Sequence, residues 1–197
     1  MTGYHKKNLR EKLLDVAEQS IRADGVSALS LRKLAKSTGV STMATYHHFA
    51  NKDEIFVQVA ILGYQHLMRE IASQSDDANS PEDEIRAVAR GYIKFALNEP
   101  NLYQLVFGHH IRGKALFPEL KKAGQDAFAI FASVIQKNLE ADGQDNIDRN
   151  AVGITFWATL HGLVSLVQDG VIFYHSKTED KIELLINQAV STLLVHK

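Results

Sequence analysis

The sequence predicts an all-α protein, and three observations carry that expectation. Apolar residues recur at helical spacing through almost the whole chain, as in Leu9, Leu13, Val16, Ala17 and Ile21. Each of the three prolines stands where a helix should begin or has just ended. The one β-favouring run, Val171-Ile172-Phe173-Tyr174, is too short and too isolated to make a sheet.

Composition agrees. With 45% hydrophobic and 23% charged residues the chain is ordinary globular material, not a disordered one. Its 197 residues fit one or two domains at roughly 150 residues each, enough to bury a core without staples. There is no cysteine, which excludes disulfide frameworks, thiolate nucleophiles, cysteine zinc sites and iron–sulfur clusters, and fits a reducing compartment.

The elements follow in order. The first helix stops at Asp24-Gly25. Ser30 then stands as N-cap to a short helix that ends at Gly39, and Ser41 caps another, Thr42 to Phe49. Asn51 caps a fourth, with Asp53 and Glu54 in its first turn, where acids complement the helix dipole. Ile55, Val59, Leu62 and His66 carry that helix toward Ser73, and residues 73–80 form a polar loop. Ser80-Pro81-Glu82-Asp83 starts the next helix, Pro100 ends it, and Pro118 opens one that runs to about Glu140. After Asp142-Gly143 comes a helix of roughly 147–169, stopped by Gly170, and a last one runs from about Thr178 to the C-terminus. These elements divide into residues 1–52, a connecting helix and loop at 53–80, and a second helical domain at 81–197.

Two segments bear on location. Met1 to Lys7 is basic but has no apolar stretch behind it, so no secretory signal is expected. Residues 150–168 carry no formal charge over a length close to the ~20 residues that cross a bilayer. They include Asn150, Thr155, Thr159, His161, Ser165 and Gln168, so the expectation is a buried central helix in a cytoplasmic protein with no membrane association.

The net charge of -1 conceals an asymmetry. Residues 1–52 hold nine Lys and Arg against four acids, whereas the rest is acidic on balance. A basic end on an acidic body suits a chain of which one end meets a polyanion, although a solvated charged helix has the same composition. The layout of residues 30–52 is sharper. Two short helices joined by Gly39-Val40-Ser41 make a helix-turn-helix, with Leu31, Leu34, Ala35 and Val40 spaced to bury. Thr42, Met43, Tyr46, His47 and His48 would make poor core but suit base edges, a thymine methyl and backbone oxygens. Ser41 at the turn joins that face, and Lys52 at the next helix start suits a phosphate.

Residues 10–60 carry Arg10-Glu-Lys-Leu-Leu-Asp-Val-Ala, Gly25-Val-Ser-Ala-Leu-Ser-Leu-Arg-Lys-Leu-Ala, Gly39-Val-Ser and Tyr46-His-His-Phe-Ala-Asn-Lys-Asp. This stretch closely resembles the N-terminal domain of the TetR family of transcriptional regulators. The resemblance implies that Arg32, Thr42, Met43, Tyr46, His47, His48 and Lys52 stand at DNA-contacting positions. Met43 replaces the family's usual glycine, alanine or proline, and Thr45 replaces a large apolar residue, which implies weaker packing of the recognition helix. Phe156-Trp-Ala-Thr-Leu-His-Gly162, with Glu99 to Phe107 upstream, resembles the Trp-His-Gly (WHG) type of TetR C-terminal domain.

On a helical wheel, Ala151, Thr155, Ala158, Gly162, Ser165 and Asp169 share one small or polar side of the uncharged helix. The last helix presents Ile182, Leu185, Ile186, Ala189, Val190, Leu193 and Leu194 as a broad apolar stripe. A homodimer through both helices is expected, with Ala158, Gly162, Ser165, Leu185, Ala189 and Leu193 at the interface, reading half-sites of a palindromic operator. Aromatic residues concentrate between 95 and 173 and read either as plain core or as an apolar pocket. The resemblance implies a pocket, for which Phe95, Tyr103, Phe107, Phe128, Phe131, Trp157 and His161 are the candidates. No metal, cofactor or catalysis is expected, because histidines lack ligand spacing and no nucleophile or phosphate-loop motif is present. The expected function is a double-stranded-DNA-binding repressor released by a small, largely apolar effector. The alternative is a DNA-bound adaptor that recruits a protein without a ligand.

Overall fold

The computed structural model describes residues 2–76, 78–141, 143, 147–172 and 178–194, with side chains except at 2–8, 178, 179 and 192–194. The helices among the described residues are α1 (Thr2–Asp24), α2 (Leu31–Thr38), α3 (Thr42–Tyr46), α4 (Lys52–Ser75), α5 (Pro81–Asn98), α6 (Pro100–Phe107), α7 (Pro118–Ala141), α8 (Arg149–Gln168) and α9 (Thr178–Leu194). No strand occurs among them. Phe173 and Tyr174, half of the β-favouring run, lie outside the described residues.

The caps explain the boundaries. Ser30 Oγ accepts from Lys33 N at 3.2 Å, Ser41 Oγ from Ala44 N at 3.1 Å, and Asn51 Oδ1 from Glu54 N at 3.0 Å. The Glu54 carboxylate reaches back to Ala50 N, so the start of α4 is satisfied from both sides. Asp148 caps α8 through Asn150 N and Ala151 N. Gly39 takes the left-handed conformation (φ 74°, ψ 26°) that closes α2, and Val40 N bonds back to Ala35 O. Two elements differ from the sequence expectation. α3 ends at Tyr46, short of Phe49, and Pro100 begins α6 instead of merely ending α5.

Two compact units result, and they do not follow chain order. The first comprises Met1–Tyr64 and Glu99–Ala123, the second Gln65–Asn98 and Gly124–Lys197. In the first, Leu13, Ala17 and Ile21 of α1, Leu34 and Ala35 of α2, Phe49, and Ile55 and Val59 of α4 are all buried. Each of the larger side chains, the alanines apart, contributes roughly 1.5–3 kcal/mol by leaving water. Leu102, Leu105 and Val106 of α6 are buried too, and Asn101 Nδ2 donates to Arg22 O at 2.9 Å. α6 therefore packs against α1, a placement that nothing local in the sequence announces.

In the second unit α5 packs against α8 and α9. Ile85, Ala89, Tyr92, Ile93 and Ala96 of α5 are fully buried, and Gln168 Nε2 donates to Ala96 O at 2.8 Å. Gly91 lets α5 approach α4 closely, since a Cβ there would lie 2.5 Å from Ile71 Cα.

Candidate nucleic-acid interface

α3 has only five residues and no stability of its own at that length. It holds its shape because both ends are fixed and one face is buried. Ser41 caps the start, Thr45 is 0% exposed, and Phe49 just beyond is 1% exposed. The Arg10 guanidinium lies 5.1 Å over the Phe49 ring. Lys12 Nζ donates to Thr38 O at 3.2 Å, which ties the end of α2 to α1. Thr38 Oγ1 donates to Leu34 O and so needs no outside partner.

With Thr45 turned inward, the opposite side of α3 faces solvent. Thr42, Met43, Tyr46 and His47 are all exposed, Met43 by 67% and Tyr46 by 50%. The methionine and tyrosine stand open on this face beside a hydroxyl and an imidazole. Ser41 is exposed while its oxygen serves as cap, Arg32 is exposed on α2, and His48 is half-buried. Lys52 opens α4, with its ammonium 4.7 Å over the Phe56 ring. The arrangement offers hydrogen-bond donors and an apolar thioether on α3, with the cations Arg32 and Lys52 on the helices before and after it, the chemistry that base edges and phosphates require.

Thr45 is the flaw in this packing. Its Oγ1 is buried and has no hydrogen-bond partner, the physical form of its departure from a large apolar residue. An unmet buried hydroxyl costs about 1–3 kcal/mol. Thr45→Val, which keeps the shape, is expected to raise stability by about 1 kcal/mol in urea unfolding without altering the exposed face. A lower midpoint would show the hydroxyl to be useful.

The aromatic candidates are divided between the two units. Tyr103 and Phe107 belong to the first unit, where their rings lie 4.8 Å apart and Phe107 meets Tyr64 edge-on at 5.7 Å. Phe95, Phe128, Phe131, Trp157 and His161 belong to the second unit. There Trp157 stacks on both Phe131 (5.0 Å, 17°) and Phe128 (5.5 Å, 21°), and Tyr92 meets Phe131 and Trp157 edge-on. Tyr92 Oη and His161 Nδ1 share a hydrogen bond of 3.2 Å, and burial holds the imidazole below its ordinary pKa. These rings fill space by touching one another. Among the described residues, a groove of about 480 Å³ in the second unit is lined by Val88, Ala129, Ile130 and Val134 together with the Lys137–Glu84 ion pair, and includes none of the seven candidates.

The dimer candidates divide as well. Leu185 and Ala189 are 0% and 1% exposed within a single chain, so these two pack against the chain's own α5 and α8 instead of standing open to a partner. The side chain of Leu193 lies outside the described residues. On α8, Ala158 is exposed, Gly162 and Ser165 are half-buried, and a Cβ at Gly162 would touch nothing within 4 Å. Ile154 and Leu166 are 58% and 40% exposed. α8 is therefore not the wholly buried helix its composition suggested. It is long and apolar enough to cross a membrane by length and composition, and one face of it is left uncovered among the described residues.

Sequence reasoning missed His110 and Arg112, which stand beside Lys52 in the first unit. They follow Lys52 by nearly sixty positions, and no local pattern links them to it.

Comparison with known proteins agrees with this geometry. Residues 13–59 match the bacterial regulatory proteins of the tetR family, and residues 85–193 match a tetracyclin repressor-like C-terminal domain. Nucleoid occlusion factor SlmA of Vibrio campbellii is 33% identical over 110 residues, 55% of this chain and 56% of that protein. The chain thus spans about half the length of the curated relatives it matches. A protein of unknown function from Rhodococcus sp. RHA1 superposes with a TM-score of 0.79 at 26% identity, over 98% of this chain and 97% of that one. FadR from Bacillus subtilis, solved in complex with stearoyl-CoA, shares the fold at 16% identity (TM-score 0.70, 93% and 97% covered). A C-terminal match over more than half of the chain, joined to an N-terminal helix-turn-helix match, places this protein in the TetR family of DNA-binding transcriptional regulators.

Proposed function

We propose that the protein is a homodimeric repressor, acting in the cytoplasm, that reads a palindromic operator with α3 and releases it on binding a small, largely apolar effector. The observation that carries this reading is the solvent-facing set Thr42, Met43, Tyr46 and His47 on a helix whose other side is anchored in the core. The uncovered face of α8, with Ala158 and Gly162 open to close approach, supports a second copy as its cover. In this proposal the division at 1–52, 53–80 and 81–197 is one of roles (reading head, connector, and effector and dimer body), although residues 99–123 fold with the first unit. The effector half of the proposal draws support from FadR, whose fold holds stearoyl-CoA. An effector must bind one state better than the other to change DNA affinity, and by no more than that difference.

Selecting duplexes from a random pool, then titrating the winner and a scrambled control by fluorescence anisotropy, tests the reading. Lys52→Ala and Tyr46→Phe are expected to weaken both duplexes alike, Tyr46→Phe by ~1 kcal/mol for the hydrogen bond it removes. Thr42 and Met43 substitutions are expected to change which sequence wins. No preference for the selected duplex would defeat the proposal. A second reading, the ligand-independent adaptor, is favoured by the filled aromatic cluster of Phe128, Phe131 and Trp157. Unchanged DNA affinity across a series of fatty acyl-CoA esters would favour it.

A further inference from the structure

Lys52, just after the helix-turn-helix, also lines an open groove of about 400 Å³ within the first unit. Val26 and Phe56 form its floor. Lys52 and Ser27 line it from the helix-turn-helix side, and His110 and Arg112 from the loop after α6. Asp53 is the acid in this lining, in the first turn of α4 where it offsets the helix dipole. Set against Lys52, Arg112 and an imidazole, it leaves the groove cationic on balance.

The loop holds its two polar residues in place. Ile111 is 4% exposed, so the chain is pinned between them while His110 and Arg112 stay in solvent on either side. Lys114 Nζ donates to Val106 O at 2.8 Å and Gly108 O at 2.6 Å, which ties the loop to the end of α6. Burial lowers the pKa of that ammonium, yet both of its contacts are carbonyls that favour the charged form. Among the described residues, neither Arg112 nor His110 has an ion-pair partner. An exposed guanidinium without such a partner, lining the same groove as Lys52, is available to an anion.

We propose that this groove is a second backbone clamp, in which Arg112, aided by His110, holds a phosphate of the DNA strand flanking the bases met by α3. The inference rests on the DNA-reading proposal above and extends its footprint to a segment far from the helix-turn-helix in sequence. DNA is the source of phosphate because the groove shares Lys52 with the reading face and is open along one side. A strand carries a phosphate every 3.4 Å of axial rise, so a backbone that meets Lys52 continues past it. A free anion would call for enclosed donors, whereas His110 and Arg112 are exposed.

The test is the salt dependence of binding to the selected duplex and to its scrambled control. Removing one phosphate interaction flattens the slope of log K against log salt by about 0.9, or ~1.8 for both copies in a dimer. Arg112→Ala is expected to show that change on both duplexes, with the ratio between them unaltered, and Arg112→Lys to restore the slope. A parental slope in Arg112→Ala, with Lys52→Ala still flattening it, overturns the clamp and leaves DNA reading intact. Loss of inorganic phosphate binding in Arg112→Ala without a change in slope also overturns it, assigning the groove to a small anion. Failure of the parent chain to bind either duplex sinks both proposals.

Discussion

Phe131→Ala is expected to cost about 3–5 kcal/mol of folding stability. The ring is 0% exposed, stacks on Trp157 at 5.0 Å, meets Tyr92 edge-on at 5.9 Å and lies 6.0 Å from Phe156. Truncation removes the transfer energy of a phenyl group, leaves a cavity its neighbours can only partly fill, and abolishes ring contacts worth roughly 0.5–1.5 kcal/mol each. Trp157 is the single tryptophan, so its fluorescence in urea reports on this cluster without interference. A loss below ~1 kcal/mol would mean that the ring already borders open space. That outcome would return the effector cavity to this place in the second unit.

Gly91→Ala is the second large effect, and competing terms fix its sign. In a helix interior alanine is favoured over glycine by about 1 kcal/mol, so an unobstructed site would gain stability. Here the new Cβ would lie 2.5 Å from Ile71 Cα and 2.8 Å from Ile71 N. These are backbone atoms of α4, which cannot turn aside as a side chain would. α4 and α5 must separate, and overpacking of this kind costs about 1–3 kcal/mol or more, which outweighs the propensity gain. Thermal unfolding checks it. A higher midpoint in Gly91→Ala would show that the two helices have room to part.

How much of this was legible in the sequence depended on the range of the interaction. Caps are local, and Ser30, Ser41, Asn51 and Ser80 each bond the backbone N–H three residues on, as their spacing implied. The exposed set on α3 was legible for the same reason, because a short helix between two caps has few residues to bury. Pro100 misled because a proline both stops one helix and suits the first turn of the next. Its N-cap, Glu99, makes no side-chain cap bond that would have signalled a new start. The α9 stripe misled in another way. Apolar periodicity states that a face is buried, not by whose side chains, and Leu185 and Ala189 proved to be covered by their own chain. The aromatic residues share a stretch of sequence but not a unit, since residues 99–123 fold with the first 64.

Met43, two-thirds exposed and beside a half-exposed Tyr46, has a consequence for how discrimination responds to solution conditions. Attraction between cationic side chains and phosphates fades as counterions accumulate, whereas contact between a thioether and a thymine methyl is indifferent to ionic strength. Rising salt therefore strips away the part of the affinity that every duplex shares and spares the part that differs between them. The protein should grow weaker while its preference for one duplex over another holds.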